Sequence, residues 1–215
     1  MSIDFYCGSG SPYAWRVWLA LEHKALPYEL RVMSFDRGDL KTPEFRRINP
    51  RGRVPAVVDQ GFALYESAAI VEYLEQAYPR SGTPLFSAEP RAGAIERRLI
   101  READQYLATA MEQLVEEILF KPQGEWNADA ILHARDTFAS ELNHFEASTL
   151  GEGPVGAADF TVYPMIALAL RMERKKPDLA LRAAIGARLG AWMKRIEGLP
   201  YFERTYPPHW RAKPA

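Results

Sequence analysis

Three short segments carry side chains whose chemistry asks for a ligand. Ser11-Pro12-Tyr13-Ala14-Trp15-Arg16-Val17 stands where an apolar run hands over to a helix-patterned one. A hydroxyl at a helix N-terminus can donate to an anion, and the helix end adds roughly half a positive charge. A thiol bound there loses its proton more readily, because the thiolate is the stabilised form. Ser11 can serve such a thiol, whereas the nearest histidine in sequence, His23, is too remote to deprotonate Ser11 itself. The second segment is Arg53-Val54-Pro55. An extended Val54 before Pro55 accommodates a cis peptide, which leaves Val54 main-chain groups open to pair with an extended peptide. The third is Glu66-Ser67, where a helix-starting serine and the first N–H groups suit a carboxylate. Arg46, Arg47, Arg51 and Arg53 fall within eight residues that contain no acid, suiting a second carboxylate. A small peptide with two carboxylates and a thiol satisfies all of these groups.

The elements that must position them follow from periodicity. Ile3 to Cys7 reads as a short strand, and Ala14 to Leu21 as a helix burying Trp15, Trp18, Leu19 and Leu21. Tyr28 to Val32 alternates strictly, with Tyr28, Leu30 and Val32 on one face of a half-buried strand. Thr42-Pro43 is an N-cap and a first-turn proline, so a short helix covers Glu44 to about Ile48. Val54 to Val58 and Phe62 to Tyr65 form a hairpin through Asp59-Gln60-Gly61. A helix then runs from Ser67 to about Tyr78. Strands joined through a helix should be parallel and the hairpin antiparallel, giving a small mixed sheet. The stretch from Pro79 to Pro90 loses periodicity and reads as a linker. Beyond it lie helical patterns at Ala92–Phe120, about Ala128–Ala147, Ala157–Glu173 and Leu179–Ile196. In the first of these, Ile95, Leu99, Ala103, Tyr106, Ala110, Leu114 and Ile118 make one continuous face.

Composition excludes several classes. Over 215 residues, 27 Lys and Arg face 28 Asp and Glu, for a net charge of −1. That balance argues against nucleic-acid binding and against a polybasic membrane patch. A single cysteine, Cys7, precludes an internal disulfide and a thiolate zinc site, and the four histidines are scattered. No metal site is therefore expected. No apolar run is long enough for a membrane span, and the opening Met1-Ser2-Ile3-Asp4 lacks the features of a signal peptide. The expectation is a cytoplasmic protein without membrane or nucleic-acid partners.

These segments, in this order, resemble the glutathione S-transferase superfamily. The resemblance is carried by SPYAWRVWLAL (Ser11 to Leu21), NPRGRVPAVVD (Asn49 to Asp59), ESAAIVEYLEQAYP (Glu66 to Pro79) and GPVGAADFTVYP (Gly153 to Pro164). It implies an α/β thioredoxin-like N-terminal domain with a mixed four-stranded sheet, over residues 1–79. A linker over 80–90 and an all-α C-terminal domain over 91–215, forming the pocket for an electrophile, complete the expected arrangement. Glutathione is the implied co-substrate, an electrophilic small molecule the second one, and a homodimer the assembly. Ser11 resembles the serine that stabilises the glutathione thiolate. Val54-Pro55 resembles the pair that binds the cysteinyl backbone, and Glu66-Ser67 the pair that holds the γ-glutamyl end. Arg51 and Arg53 are candidates for the glycyl carboxylate. Asp159 matches the acid of a helix-capping box whose usual Ser or Thr is Gly156 here.

Each residue also has a plainer account. Ser11 alone could be an ordinary N-cap, and Ser9 is a rival hydroxyl two residues earlier. Cys7 is expected to be buried and inert. Tyr106, Met111, Leu114 and Val115 could line an apolar co-substrate pocket or could be core, and Asp104 could reach a partner's ligand or simply be solvated. Among activities, a glutathione-dependent isomerase of the maleylacetoacetate type is an alternative, since Trp15-Arg16-Val17 is similar to that class. Its Ser-Ser-Cys run is absent, with Pro12 and Tyr13 in the last two places. Peroxidase chemistry and a non-catalytic scaffold on the same fold are further alternatives.

Overall fold

The computed structural model describes residues 2–211. Among the described residues the chain divides into two compact units, one from 2–87 with 200–211, the other from 88–199. Residues 200–211, expected within the helical domain, group with the first unit.

The first unit contains β1 (Ile3–Gly8), α1 (Pro12–His23), β2 (Tyr28–Met33), α2 (Pro43–Ile48), β3 (Ala56–Asp59), β4 (Phe62–Tyr65) and α3 (Ser67–Ala77). Its strands order as β2-β1-β3-β4. β1 and β2 are parallel, and β3 is antiparallel to both β1 and β4, the mixed sheet expected. Successive side chains of β1 serve opposite faces. Phe5 meets Trp18 of α1 at 6.3 Å between ring centroids, and Tyr6 meets Phe45 of α2 at 5.7 Å. Thr42 caps α2 as expected, its hydroxyl accepting from the Phe45 N–H at 3.3 Å. β2 departs from the expected alternation, because Val32 is 59% exposed on this edge strand.

Two ties hold α1 in place. At its C-terminal end the Nζ of Lys24, with no exposed side-chain surface, lies 2.8 Å from Oε2 of Glu75 on α3. Along its length the returning segment packs through Phe202, Tyr206 and Trp210, whose rings lie 5.6–5.8 Å from that of Trp15. Trp15 Nε1 donates to Thr205 Oγ1 at 2.9 Å, and Arg204 pairs with Glu22 at 2.9 Å.

The second unit holds α4 (Pro90–Glu102), α5 (Ala108–Val115), α6 (Ala128–Ala147), α7 (Ala157–Lys175) and α8 (Ala187–Glu197). The expected helix Ala92–Phe120 is interrupted by π turns at Ala103–Leu107 and Glu116–Phe120. A π turn inserts a residue, so the stripe shifts there: Tyr106 is 55% exposed, while Leu99, Ala103, Ala110, Leu114 and Ile118 are buried. Ile95, near the start of α4, is 41% exposed. α8 begins at Ala187 instead of Leu179, because Ala180 adopts φ 50° and extended Gly186 starts the helix anew. Asp159 accepts the Gly156 N–H at 2.8 Å at the start of α7 and the Trp192 indole N–H at 2.6 Å. No helix among the described residues is long and apolar enough to cross a membrane.

Candidate functional site

The register of the sheet brings the three segments to one end. Tyr6 stands opposite Ala56, and Ala56 opposite Tyr65. The loop after β1, the residues before β3 and the turn after β4 therefore emerge side by side. A Cβ added to Gly8 would fall 2.7 Å from Val54 Cγ2, so the end of β1 lies directly against Val54.

Ser11 is the N-cap of α1, its backbone extended and its Oγ accepting from the Ala14 N–H at 3.3 Å. That bond uses a lone pair and leaves the hydroxyl proton to give elsewhere. Val54 and Pro55 are buried and joined by a cis peptide just outside the β3–β4 ladder. Glu66 is the single residue between β4 and α3 and takes φ 71°, a conformation that costs a residue with a side chain roughly 1–3 kcal/mol. The first bond within α3 runs from the Ile70 N–H to the Glu66 carbonyl at 2.9 Å. The N–H groups of Ser67, Ala68 and Ala69 precede it and form the end of the helix that lacks internal acceptors. Ser67 is 7% exposed.

Of the four clustered arginines, Arg51 is tied to this corner: its Nε lies 3.7 Å from Oε1 of Glu66. Both side chains are exposed, so the pair contributes little stability and stays available to a ligand. Arg53 is exposed, Arg46 likewise, and Arg47 faces Glu44 at 3.4 Å. Sequence reasoning missed Asn49, which shapes the loop that presents them. Its buried amide donates to the Arg53 carbonyl at 2.6 Å and accepts the Arg51 N–H at 3.0 Å. A signal existed in the Asn-Pro-Arg-Gly turn, since asparagine side chains commonly bond backbone two residues on.

Ser9 and Ser11 both line a small cavity of about 10 Å³, together with Cys7, Trp15, Thr205 and Pro207. Burial pushes the Cys7 thiol up to about 12, so it stays protonated and unreactive. Ser9 Oγ lies 2.9 Å from His209 Nδ1, a contact between residues 200 positions apart that no local pattern reveals. Arg16 is buried, its guanidinium 5.8 Å from the Tyr13 ring centroid. In the second unit, Met111 and Leu114 are core, Val115 is half-buried, and Asp104 lies in the first π turn. Among the described residues no group of three or more His, Cys, Asp or Glu side chains could hold a metal ion.

The family model for the glutathione S-transferase N-terminal domain matches residues 10–77, the stretch that contains all three segments. Glutathione S-transferase F14 of Arabidopsis thaliana is 30% identical over 192 residues, 86% of this chain and 75% of that protein. The chain belongs to the glutathione S-transferase superfamily. Another relative within this superfamily resemblance is maleylacetoacetate isomerase of Mus musculus, 31% identical across 79% of this chain and 78% of its own. The crystal structure of a glutathione S-transferase from the Antarctic clam Laternula elliptica superposes with a TM-score of 0.80 at 26% identity. It covers 98% of this chain and 94% of the clam protein. The thioredoxin-like four-stranded sheet followed by helices is thus the superfamily's fold.

Proposed function

We propose that this member of the glutathione S-transferase superfamily is a glutathione transferase that holds glutathione across the sheet end and activates its thiol. The observation that carries the reading is the convergence of Ser11, Val54-Pro55 and Glu66-Ser67 at that one end. In this reading the Ser11 hydroxyl donates to the thiolate sulfur, and the partial positive charge of the α1 N-terminus adds to it. The main-chain groups of Val54 pair with the cysteinyl backbone as a short added strand. Ser67 and the open N–H groups of α3 take the γ-glutamyl carboxylate, while Glu66 offers its carboxylate to the γ-glutamyl ammonium. Arg51 and Arg53 face the glycyl carboxylate.

A free thiol ionises near 8.5. Each unit by which the site lowers that value corresponds to about 1.4 kcal/mol of preferential binding of the thiolate. The thiolate then attacks an electrophilic carbon. A carbon–sulfur bond forms, and its electron pair displaces a leaving group or adds to a polarised double bond. We assign the electrophile to the helical unit and the assembly to a cytoplasmic homodimer; the protein supplies proximity as well as activation. Isomerisation of a maleylacetoacetate-type acid is the second reading, favoured by the mouse relative and by Trp15-Arg16-Val17.

Calorimetric titration with glutathione tests the reading. Saturable binding that weakens on Ser67→Ala is the expected result. Absence of binding at millimolar ligand would leave only the scaffold alternative. A panel of electrophiles, peroxides and cis–trans isomerisable acids then separates transferase from isomerase and peroxidase.

A further inference from the structure

Two hydroxyls, Ser9 and Ser11, border the same small cavity, and each has a single proton to donate. Their surroundings differ. Ser11 uses a lone pair on the Ala14 N–H. Ser9 lies 2.9 Å from an imidazole nitrogen, Nδ1 of His209.

We propose that His209 is a positioning residue for the thiol end of the site: its Nδ1 takes the Ser9 hydroxyl proton, so that Ser11 alone has a proton to give the thiolate. The proposal rests on the reading of Ser11 given above and deepens it. His209 decides which of the two hydroxyls serves the sulfur.

The contact is built from several directions. The Ser11 N–H donates to the Gly8 carbonyl at 3.0 Å, closing a turn with Ser9 and Gly10 at its corners. Gly10 has φ 85°, the left-handed value that the third residue of a type II turn requires. A Cβ at Gly10 would stand 2.9 Å from His209 Cε1, so a side chain there would push the ring off Ser9. The segment that delivers His209 is fastened to α1 at three points upstream. Tyr201 OH lies 2.6 Å from His23 Nδ1, Arg204 pairs with Glu22, and Thr205 accepts from Trp15. Trp210 then packs its ring against Trp15 at 5.6 Å. His209 therefore reaches Ser9 from an anchored strap.

The test uses full-length protein saturated with glutathione, with the bound thiolate read by its ultraviolet absorbance at about pH 8, where an ordinary imidazole is neutral. Ser11→Ala should lower the thiolate fraction. Adding His209→Phe, which keeps a ring beside Gly10 but removes the nitrogens, frees the Ser9 proton. The double variant should recover ionisation, with an apparent thiol pKa about one unit below that of Ser11→Ala alone. Ser11→Ala/His209→Asn places an amide oxygen where Nδ1 stood and should behave like Ser11→Ala. A purely structural role for His209 would make the double variant equal to or worse than Ser11→Ala, and either result overturns the proposal. If Ser11→Ala alone changes nothing, the Ser11 reading fails separately. His209→Phe in the otherwise unaltered protein then decides: a lowered thiol pKa retains the control of Ser9 by His209, and an unchanged one removes it.

Discussion

Replacing Glu75 with Ala tests what keeps the two site-bearing helices together. Ser11 starts α1 and Ser67 starts α3, and Lys24–Glu75 links α1 to α3 near their other ends. Lys24 has no exposed side-chain surface, whereas Glu75 retains 21%. Removing one member of a buried pair typically costs 3–5 kcal/mol, because the remaining charge is left without compensation. The partial exposure of Glu75 admits water, which places this site at the low end, about 3 kcal/mol. Glu75 Oε2 also accepts the Leu85 N–H at 2.9 Å, and that lost bond adds about 1 kcal/mol. Urea denaturation followed by tryptophan fluorescence should therefore show the first unit destabilised by about 3–4 kcal/mol. Glu75→Gln, which keeps an acceptor for Leu85, should fall between. Lys24→Met with Glu75→Leu should return most of the loss, since an apolar pair avoids the desolvation of two charges. A cost for Glu75→Ala below about 1 kcal/mol, the size of an exposed pair, would refute the argument. It would mean that the Lys24 ammonium reaches water.

Other perturbations probe different parts of the chain. Burial is the main cause that holds the His23 imidazole below its ordinary value of 6.5. The unfolded chain then binds the proton more readily, so stability should be constant above that pH and fall as pH drops below it. His23→Gln should flatten this fall, as read by urea midpoints across the acid range. Cys7 should resist thiol reagents at mildly alkaline pH in the folded protein and react on unfolding, a difference countable by mass spectrometry. Asp159→Ala removes the acceptor of both the Gly156 N–H and the buried Trp192 indole N–H. It should cost the helical unit about 3 kcal/mol, with Asp159→Asn retaining part of it in thermal melts.

Much of the first unit was legible because its signals are local. Thr42-Pro43 names a helix start through the cap and the fixed proline φ, and the helix begins there. The hairpin followed from two apolar runs around Gln60-Gly61, whereas an extended residue before Pro55 is compatible with the cis bond found there without requiring it. The Ser67 helix start was readable in the same way, whereas the strained φ of Glu66 carries no residue-type signature. Helix α6 matches its expected bounds because nothing interrupts its period. The face of α4 and α5 did not, because π turns depend on how neighbouring helices accept an extra residue. Tyr106, on the face expected to be continuous, sits within one of them. The return of residues 200–211 to α1 escaped for a related reason. It depends on aromatic packing around Trp15 and on contacts almost 200 residues apart, which no short window contains.

The proposed function requires this fold to bind glutathione and to lower the energy of its thiolate. Difference absorbance of bound glutathione, titrated across the neutral and alkaline range with the unaltered protein, tests it most directly. Ionisation is expected at least one unit below the free-thiol value of about 8.5, with a smaller depression in Ser11→Ala. Glutathione that binds yet ionises as it does in water would contradict it.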